Sequence, residues 1–135
     1  MILDSSAIVA ILREEPGFKG LLARLRETDV IGVGAPTLLE TSIVLRNRLG
    51  PWGEAALDRF LAEYQITIIP FGEDHWHEAA DAHRRFGKGR HPAALNLGDC
   101  LAYATAKLAG RPLLFTGADF SKTDLLIAES PPPLP

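Results

Sequence analysis

The sequence predicts a three-layer α/β/α fold in which a short, mostly parallel sheet of four to five strands lies between helices. Two observations lead to this prediction. Short apolar runs of strand length alternate along the chain with longer segments whose apolar residues recur at helical spacing. Such alternation is typical of a parallel sheet that is covered on both faces. The chain also has 135 residues, of which 47 % are apolar and 23 % are charged, as expected for one globular domain with its own core.

The first third of the chain is predicted to contain two strands with two helices between them. Residues 1–3 form an apolar strand that ends at Asp4, and one of the two serines after it can cap the next helix. A second helix begins near Pro16 and carries an apolar stripe at positions i, i+3, i+4 and i+7. The residues of this stripe are Phe18, Leu21, Leu22 and Leu25. The second strand covers residues 30–33.

The middle of the chain is predicted to contain two helices and a third strand. Residues 37–40 match a capping box, with Thr37 as the N-cap and Glu40 at the third helical position. This helix runs to about Leu49, where a glycine and a proline end it and start the next helix. The strand of residues 66–69 follows.

The last third is predicted to contain two helices, a basic loop, a fourth strand and a short edge strand. A helix over residues 73–86 leads into a glycine-rich loop over residues 87–94. Asn96 caps the next helix and places Asp99 at its third position. The remaining strands are predicted over residues 113–115 and, at the edge of the sheet, 125–127.

One domain is predicted over residues 1–130, followed by a proline-rich, disordered tail over residues 131–135. The single cysteine, Cys100, excludes an intramolecular disulfide and fits a reducing, cytoplasmic compartment. The first residues do not form an export signal, and no apolar stretch is long enough to cross a bilayer. We therefore expect no membrane partner.

Four acidic residues are predicted to meet at one edge of the sheet, although they are spread over nearly the whole chain. Asp4 and Asp119 follow predicted strands, whereas Glu40 and Asp99 lie at the start of predicted helices. In right-handed crossovers these two kinds of position fall at the same edge, which is where open α/β sheets place their sites. Each acid also has a structural explanation as a cap or turn residue. The convergence of all four favours a function.

A cluster of carboxylates at neutral pH indicates a divalent cation, because like charges repel strongly at short range. Oxygen ligands suit Mg²⁺ or Mn²⁺, and the lack of Cys or His pairs at ligand spacing argues against zinc. Such an ion can bind phosphate oxygens and lower the pKa of a water, which fits hydrolysis of a phosphodiester. Ser6 and Thr116 stand beside the acids and could support the site by orienting a water, or could act as caps.

A basic stretch precedes the last predicted helix. The net charge of the chain is −3, but Arg84, Arg85, Lys88 and Arg90 lie close together, with His91 beside them. A local basic patch steers a polyanion more than the total charge does. Lys88, Arg90 and His91 are therefore candidate contacts to nucleic-acid phosphates. The alternative is a solvated helix end and loop.

Four segments of the chain together resemble a known family. They are MILDSSAIVAIL, PTLLETSIVL, GKGRHPAALNLGDCLAYATAK and PLLFTGADFSKTDL. In this order and spacing they resemble the VapC-type PIN-domain toxins of type II toxin–antitoxin pairs, over essentially the whole chain. The resemblance implies a PIN-like α/β/α ribonuclease that uses Mg²⁺ or Mn²⁺, is usually a homodimer and is neutralised by a VapB-type antitoxin.

The resemblance also implies catalytic and metal-binding roles for the acidic residues. Asp4 and Asp99 would be the principal metal ligands. Glu40 would help to hold the metal or polarise the water, and Asp119 would support a second metal or a water. The reaction implied is in-line attack of a metal-activated water on an RNA phosphodiester.

The chain departs from the family's pattern in its last loop. Many relatives have two acids there, whereas this loop has only Asp119, which can therefore be offset from the usual ligand position. Thr116 could then take over part of the ligand's role by binding a water. Asp124 is a more distant candidate for the fourth acidic position.

Two other functions are compatible with carboxylates at this edge of the sheet. A phosphatase or receiver-like phosphoacceptor would need a second acid two residues after Asp4 and a lysine in the last loop before Asp119, and the chain has neither. A catalytically weak PIN-like module would bind RNA or a protein partner without cleaving. The presence of Asp4, Glu40 and Asp99 argues against this function. The offset of the fourth acid, Asp119, is compatible with it. The predicted function is therefore a Mg²⁺-dependent endoribonuclease that acts as a toxin.

Overall fold

Within residues 1–128, which the computed structural model describes, four short strands alternate with six helices. The strands are β1 (Ile2–Leu3), β2 (Gly32–Gly34), β3 (Thr67–Ile69) and β4 (Leu113–Leu114). The helices are α1 (Ser5–Leu12), α2 (Phe18–Arg26), α3 (Ala35–Leu49), α4 (Pro51–Glu63), α5 (Glu73–Phe86) and α6 (Leu97–Ala109), and a 3₁₀ turn covers Phe120–Lys122. The predicted domain boundary at residue 130 and the predicted tail over 131–135 lie outside the described residues.

The four strands form one parallel sheet in the order β3-β2-β1-β4. Ile2 pairs with Gly32 on one side and with Leu113 on the other. A further parallel bridge joins Leu113 to Ile127, so the chain after the 3₁₀ turn lies beside β4. The predicted α/β fold with a parallel sheet is confirmed, and the edge strand predicted over residues 125–127 is reduced to this bridge.

Two apolar cores, one on each face of the sheet, follow from the alternation of side chains along the strands. Leu3 and Leu114 pack into the core formed with α1, α2, α3 and α4. Ile2 and Leu113 pack into the core formed with α5 and α6. None of these four side chains is more than 2 % exposed. Since burial of such a side chain contributes roughly 2 kcal/mol, even a two-residue strand such as β1 is held firmly in place.

Helix α3 begins earlier than predicted. Its first residue is Ala35, its N-cap is Gly34, and Pro36 lies in the first turn, where a missing N–H does no harm. The predicted capping box is therefore wrong, because Thr37 lies inside the helix rather than at its N-cap. Glu40 accordingly lies in the second helical turn and not at the third helical position.

The described helices are short compared with a lipid bilayer. The longest of them within residues 1–128, α3, has 15 residues. In that part of the chain, no helix combines the length and the apolar character needed to span a membrane.

Candidate active site

The carboxyl edge of the sheet brings the four predicted acids into one region. Asp4 follows β1 as the N-cap of α1, and Asp99 is the third residue of α6. Glu40 extends from α3, and Asp119 lies in the loop between β4 and the 3₁₀ turn. After burial, which is the largest cause, the charges of Asp99 and Glu40 raise the pKa of Asp4. The charge of Asp119 likewise adds to the effect of burial in raising the pKa of Asp99.

Asp4 is the most deeply buried of the four, with only 3 % of its surface exposed. Its Oδ2 accepts hydrogen bonds from the backbone N–H of Ser6 at 3.1 Å and from the Ser6 hydroxyl at 2.6 Å. Burial raises the pKa of Asp4 to about 6, although the two bonds from Ser6 act to lower it. A carboxylate in such surroundings is stabilised in its ionised form by a nearby cation.

Ser6 connects Asp4 to the loop after β4. Its hydroxyl donates to Asp4 and accepts a hydrogen bond from the backbone N–H of Thr116 at 3.1 Å, across 110 positions of the sequence. The Asp4 carboxylate is therefore fixed relative to that loop. Thr116 takes part through its backbone, while its side chain is exposed.

Glu40 enters the site against the first turn of α6. A Cβ atom at position 98 would overlap Glu40 Oε2, so Gly98 leaves the space in which this carboxylate lies. The other oxygen, Oε1, is buried and has no hydrogen-bond partner among residues 1–128. A buried carboxylate oxygen without a partner is costly. Metal coordination at this oxygen would remove that cost.

Gly98 is a residue that sequence reasoning missed. Glycine is a poor helix former, costing up to roughly 1 kcal/mol relative to alanine in a helix interior, and Gly98 immediately precedes a predicted ligand, Asp99. A glycine beside a candidate ligand is a signal of close approach by another group. The group that approaches here, Glu40, lies on a different helix.

Asp99 caps its own helix as predicted. Its Oδ2 accepts from the Asn96 N–H at 3.0 Å, and Asn96 Oδ1 accepts from the Asp99 N–H at 2.9 Å. This reciprocal pair fixes the orientation of the half-buried Asp99 carboxylate. Asp119, in contrast, is exposed, and its side chain makes no capping bond to the 3₁₀ turn.

Asp124, the more distant candidate, is engaged elsewhere. Its carboxylate accepts hydrogen bonds from the Tyr103 hydroxyl at 2.5 Å, from Lys107 Nζ at 3.0 Å and from Arg85 Nη2 at 3.1 Å. Three protein donors therefore account for this carboxylate, and it does not join the other acids as a metal ligand.

The predicted RNA contacts lie in the loop between α5 and α6, which a backbone bridge closes. Lys88 and Arg90 are exposed in this loop. His91 instead accepts a hydrogen bond at Nδ1 from the Ala93 N–H at 3.0 Å and packs edge-on against the Phe86 ring. The histidine therefore stabilises the loop, and the two exposed cations are the groups that can reach a phosphate.

The donor set fits a hard divalent cation, although the side chains do not form a closed ligand shell. Within residues 1–128, no group of three His, Cys, Asp or Glu side chains is drawn together closely enough to hold an ion by itself. Mg²⁺ does not require such a shell, because it keeps several waters and uses few carboxylates. The unpartnered oxygen of Glu40 and the raised pKa of Asp4 would both be relieved by a cation between the carboxylates.

The chain is similar in sequence to proteins of one family. The family model described as PIN domain matches residues 1–126. Ribonuclease VapC from Mycolicibacterium smegmatis is 42 % identical over 125 residues, which cover 93 % of this chain and 97 % of that protein. Ribonuclease VapC30 from Mycobacterium tuberculosis is 37 % identical over 131 residues, which cover 97 % of this chain and 100 % of that protein.

Solved structures with the same fold have much lower sequence identity. Mycobacterium tuberculosis VapC20, described as a toxin that cleaves the sarcin-ricin loop, gives a TM-score of 0.78 at 16 % identity and covers 96 % of this chain and 98 % of its own. VapBC2 from Rickettsia felis, bound to a DNA fragment from its promoter, gives a TM-score of 0.77 at 18 % identity and covers 95 % and 96 %. At these identities the likeness shows the fold alone.

Proposed function

This chain belongs to the PIN domain family and is a ribonuclease of the VapC type, and we propose that it is a Mg²⁺-dependent endoribonuclease acting as the toxin of a type II toxin–antitoxin pair. The observation that carries the proposal is that Asp4, Glu40 and Asp99 lie at the carboxyl edge of the sheet, where the charges of Asp99 and Glu40 add to burial in raising the pKa of Asp4. Mn²⁺ would serve as well as Mg²⁺, because both ions prefer oxygen ligands. A cytoplasmic site of action is part of the proposal, since the substrate is RNA.

The residues proposed to hold the metal are Asp4, Glu40, Asp99 and Asp119. When bound, a divalent cation neutralises charge on a phosphate and lowers the pKa of a water. The chain's own contribution is to hold the carboxylates in fixed orientations. Ser6 holds Asp4 through two hydrogen bonds, and Asn96 holds Asp99 through its backbone N–H. Groups that hold a ligand in place in this way increase metal affinity because less ordering is required on binding.

Lys88 and Arg90 are the proposed contacts to the RNA backbone. Their loop leads into α6, whose first turn carries Asp99, and the Lys88 N–H donates to the Leu95 carbonyl at 3.0 Å, which holds Lys88 close to the start of that helix. Phosphate contacts of this kind supply much of the affinity for nucleic acid without reading its sequence. His91 has a smaller part in this proposal, because its ring is held within the loop.

A VapB-type antitoxin is the proposed protein partner. A groove of about 320 Å³ lies between α1, α2 and α4, and its apolar wall includes Leu22 of the stripe predicted on α2. Leu21 and Leu25 of the same stripe are buried in the core. A groove with an apolar wall accepts the apolar face of an amphipathic helix, which supports the antitoxin part of the proposal.

A homodimer is also proposed. Leu39 and Ile43 of α3 and Leu97 of α6 line one groove and are 63 %, 41 % and 75 % exposed. Contiguous exposed apolar side chains mark surfaces of interaction, and a second copy of the chain would cover these. Sedimentation of the purified chain reports its oligomeric state directly.

Cleavage of structured RNAs by the purified chain tests the enzymatic proposal. Cleavage should require Mg²⁺ or Mn²⁺ and stop in EDTA. Asp4→Ala and Asp99→Ala should each lower the rate by more than about a hundredfold. Substituting a residue that only supports a metal ligand already lowers metal affinity or activity by roughly ten- to a hundredfold. The matched control is Asp81→Ala, which alters a partly exposed acid of α5 that pairs with Arg84 and Arg85.

The outcomes separate the candidate functions. Cleavage that persists in EDTA, or in both site variants, would reject the metal site. RNA binding without cleavage under every condition would favour the alternative function, a PIN-like module that binds RNA or a protein partner.

A further inference from the structure

The carboxylate of Asp124 joins the C-terminal part of the chain to helices α5 and α6. Oδ1 accepts from the Tyr103 hydroxyl at 2.5 Å, and Oδ2 accepts from Lys107 Nζ at 3.0 Å and from Arg85 Nη2 at 3.1 Å. Tyr103 is fully buried, with 0 % exposure. A buried phenol hydroxyl requires a hydrogen-bond partner. Asp124 provides that partner, and we call this set of contacts the Asp124 anchor.

The bond to Tyr103 gives the anchor its strength. The side chains of Arg85, Lys107 and Asp124 are 44 %, 38 % and 36 % exposed, and exposed ion pairs alone contribute little. The bond to Tyr103 is charge-assisted and lies on a buried ring, which favours one geometry. Desolvation alone would raise the pKa of Asp124, but its hydrogen bonds outweigh that effect and hold the pKa well below the usual range. The carboxylate is therefore ionised at neutral pH.

The anchor lies at the end of the segment that carries Asp119. This segment leaves the sheet after β4, and residues 116–119 are all exposed. The next side chain, Phe120, is buried and packs edge-on against Phe115. Asp124 follows, and the backbone then returns to β4 through the bridge described above. Phe120 and the Asp124 anchor therefore fix the path of an otherwise exposed loop.

We propose that Asp124 is a positioning residue for RNA cleavage, because its anchor on Tyr103, Lys107 and Arg85 holds the loop that presents Asp119 beside Asp99. This inference rests on the proposed function, since it takes Asp119 as a metal ligand. The negative charge of Asp119 already acts on Asp99 in this arrangement. A loop freed from the anchor would have to be ordered again when the metal binds, so metal affinity should fall.

Two variants test the anchor in different ways. Asp124→Asn keeps the size of the side chain and removes its charge, whereas Tyr103→Phe removes the hydroxyl and keeps the buried ring. The matched control is Asp81→Asn, which removes two ion pairs on α5, including one to Arg85, without touching residues 116–124. All three variants and the unaltered chain are compared for RNA cleavage over a range of Mn²⁺ concentrations and for backbone hydrogen exchange without metal.

Both anchor variants should raise the Mn²⁺ concentration for half-maximal cleavage by about tenfold, with little change in the rate at saturating Mn²⁺. The amides of residues 116–123 should exchange faster in both variants and not in the control. Unchanged exchange in both anchor variants would show that the anchor does not hold the loop. Faster exchange with an unchanged Mn²⁺ requirement would show a purely structural role, and either result overturns the proposal.

A parallel variant, Asp119→Asn, separates this inference from its premise. A loss of cleavage or of Mn²⁺ affinity in this variant is expected. An unaltered Mn²⁺ requirement would remove Asp119 from the metal site and with it the positioning role of Asp124. Failure of the unaltered chain to cleave RNA with any metal would instead reject the proposed function, while the exchange data would still report whether the anchor holds the loop.

Discussion

Asp4 meets two opposing requirements. As a buried group it is most stable when protonated, whereas a metal ligand has to be ionised. Burial raises its pKa to about 6, the bonds from Ser6 act in the opposite direction, and the neighbouring acids raise it further. In the metal-free protein at neutral pH, the ionised carboxylate therefore lowers the stability of the fold. A bound cation would restore that stability.

We expect Asp4→Asn to stabilise the metal-free protein at pH 8 while abolishing RNA cleavage. The folded pKa of about 6 lies above the ordinary value of 3.8, so the stabilising effect of the protonated form is complete below about pH 3.8 and is lost as the pH rises through 6. The difference between these two pKa values corresponds to a gain in the free energy of unfolding of roughly 3 kcal/mol at most. Urea unfolding in EDTA at pH 8 and at pH 4 measures it, and the gain should nearly vanish at pH 4.

Asp58→Asn is the control for this experiment, because Asp58 is an exposed residue of α4. Its substitution should change the free energy of unfolding little at either pH. If Asp4→Asn raised the free energy of unfolding equally at pH 8 and pH 4, or at neither pH, that result would contradict the assigned pKa of Asp4.

Gly98→Ala separates activity from stability. The new Cβ would overlap Glu40 Oε2, which is the end of a flexible side chain and can rotate away. Alanine also favours a helix over glycine by roughly 1 kcal/mol. The free energy of unfolding should therefore stay constant or rise, while RNA cleavage falls by about tenfold because a proposed ligand is displaced. Urea unfolding and a cleavage assay on the same preparation measure both quantities.

The control for Gly98→Ala is Gly72→Ala, since a Cβ at position 72 meets no atom within 4 Å. This variant should cleave RNA at the rate of the unaltered chain. Full activity in Gly98→Ala as well would mean that the position of Glu40 does not matter for the reaction.

At the scale of helices and strands, what could be predicted is what local sequence encodes. Asn96 as a cap and Asp99 at the third position of α6 were predicted correctly, because a capping box is defined within four neighbouring residues. The similar pattern at Thr37 gave a wrong helix start, since Pro36 allows the helix to begin earlier. The strands are shorter than the apolar runs that predicted them, because such a run reports burial and not pairing.

Contacts between distant elements could not be predicted in this way. The overlap of Gly98 with Glu40 and the bond between Asp124 and Tyr103 each depend on how two separate elements pack. Even so, the topology was enough to bring all four acids to one edge, because the right-handed crossover fixes where strands end and helices begin.

Helices α3 and α4 approach closely at Gly53, and a substitution there tests this packing. A Cβ at this position would overlap the backbone carbonyl of Leu45, which cannot rotate away as a side chain can. Gly53→Ala should therefore lower the free energy of unfolding by roughly 1 to 3 kcal/mol, even though alanine favours a helix. Urea unfolding measures the loss, again beside Gly72→Ala. A variant as stable as the unaltered chain would show that the two helices separate without cost.

At the scale of the whole molecule, the distribution of charge over the surface matters more than the net charge. The net charge is −3, yet the exposed cations Lys88 and Arg90 stand in the loop that leads to the acidic edge. Exposed positive charge in this loop would attract a polyanion despite the negative net charge, and the proposed cation would offset the charge of the carboxylates. Net charge alone would have argued against an RNA substrate.

Replacing both Lys88 and Arg90 with glutamine should weaken RNA binding and lower the salt dependence of that binding. The slope of log K against log salt should become shallower by roughly 1 to 2, since about one counterion is released for each phosphate contact. Fluorescence anisotropy in EDTA measures binding without cleavage. Lys19→Gln with Arg48→Gln, two exposed positions on α2 and α3, is the control. A slope equal to that of the control would remove the loop from the RNA interface.

The hydrogen bonds from Ser6 to Asp4 and from Thr116 to Ser6 also bear on the synthesis of this protein. The second of these bonds joins positions 110 residues apart, and β4, which places Thr116, is the last strand of the described sheet to be made. A growing chain on the ribosome therefore cannot form this bond until β4 and Thr116 have emerged. The Asp4 carboxylate is therefore held in its final orientation only once the sheet is complete.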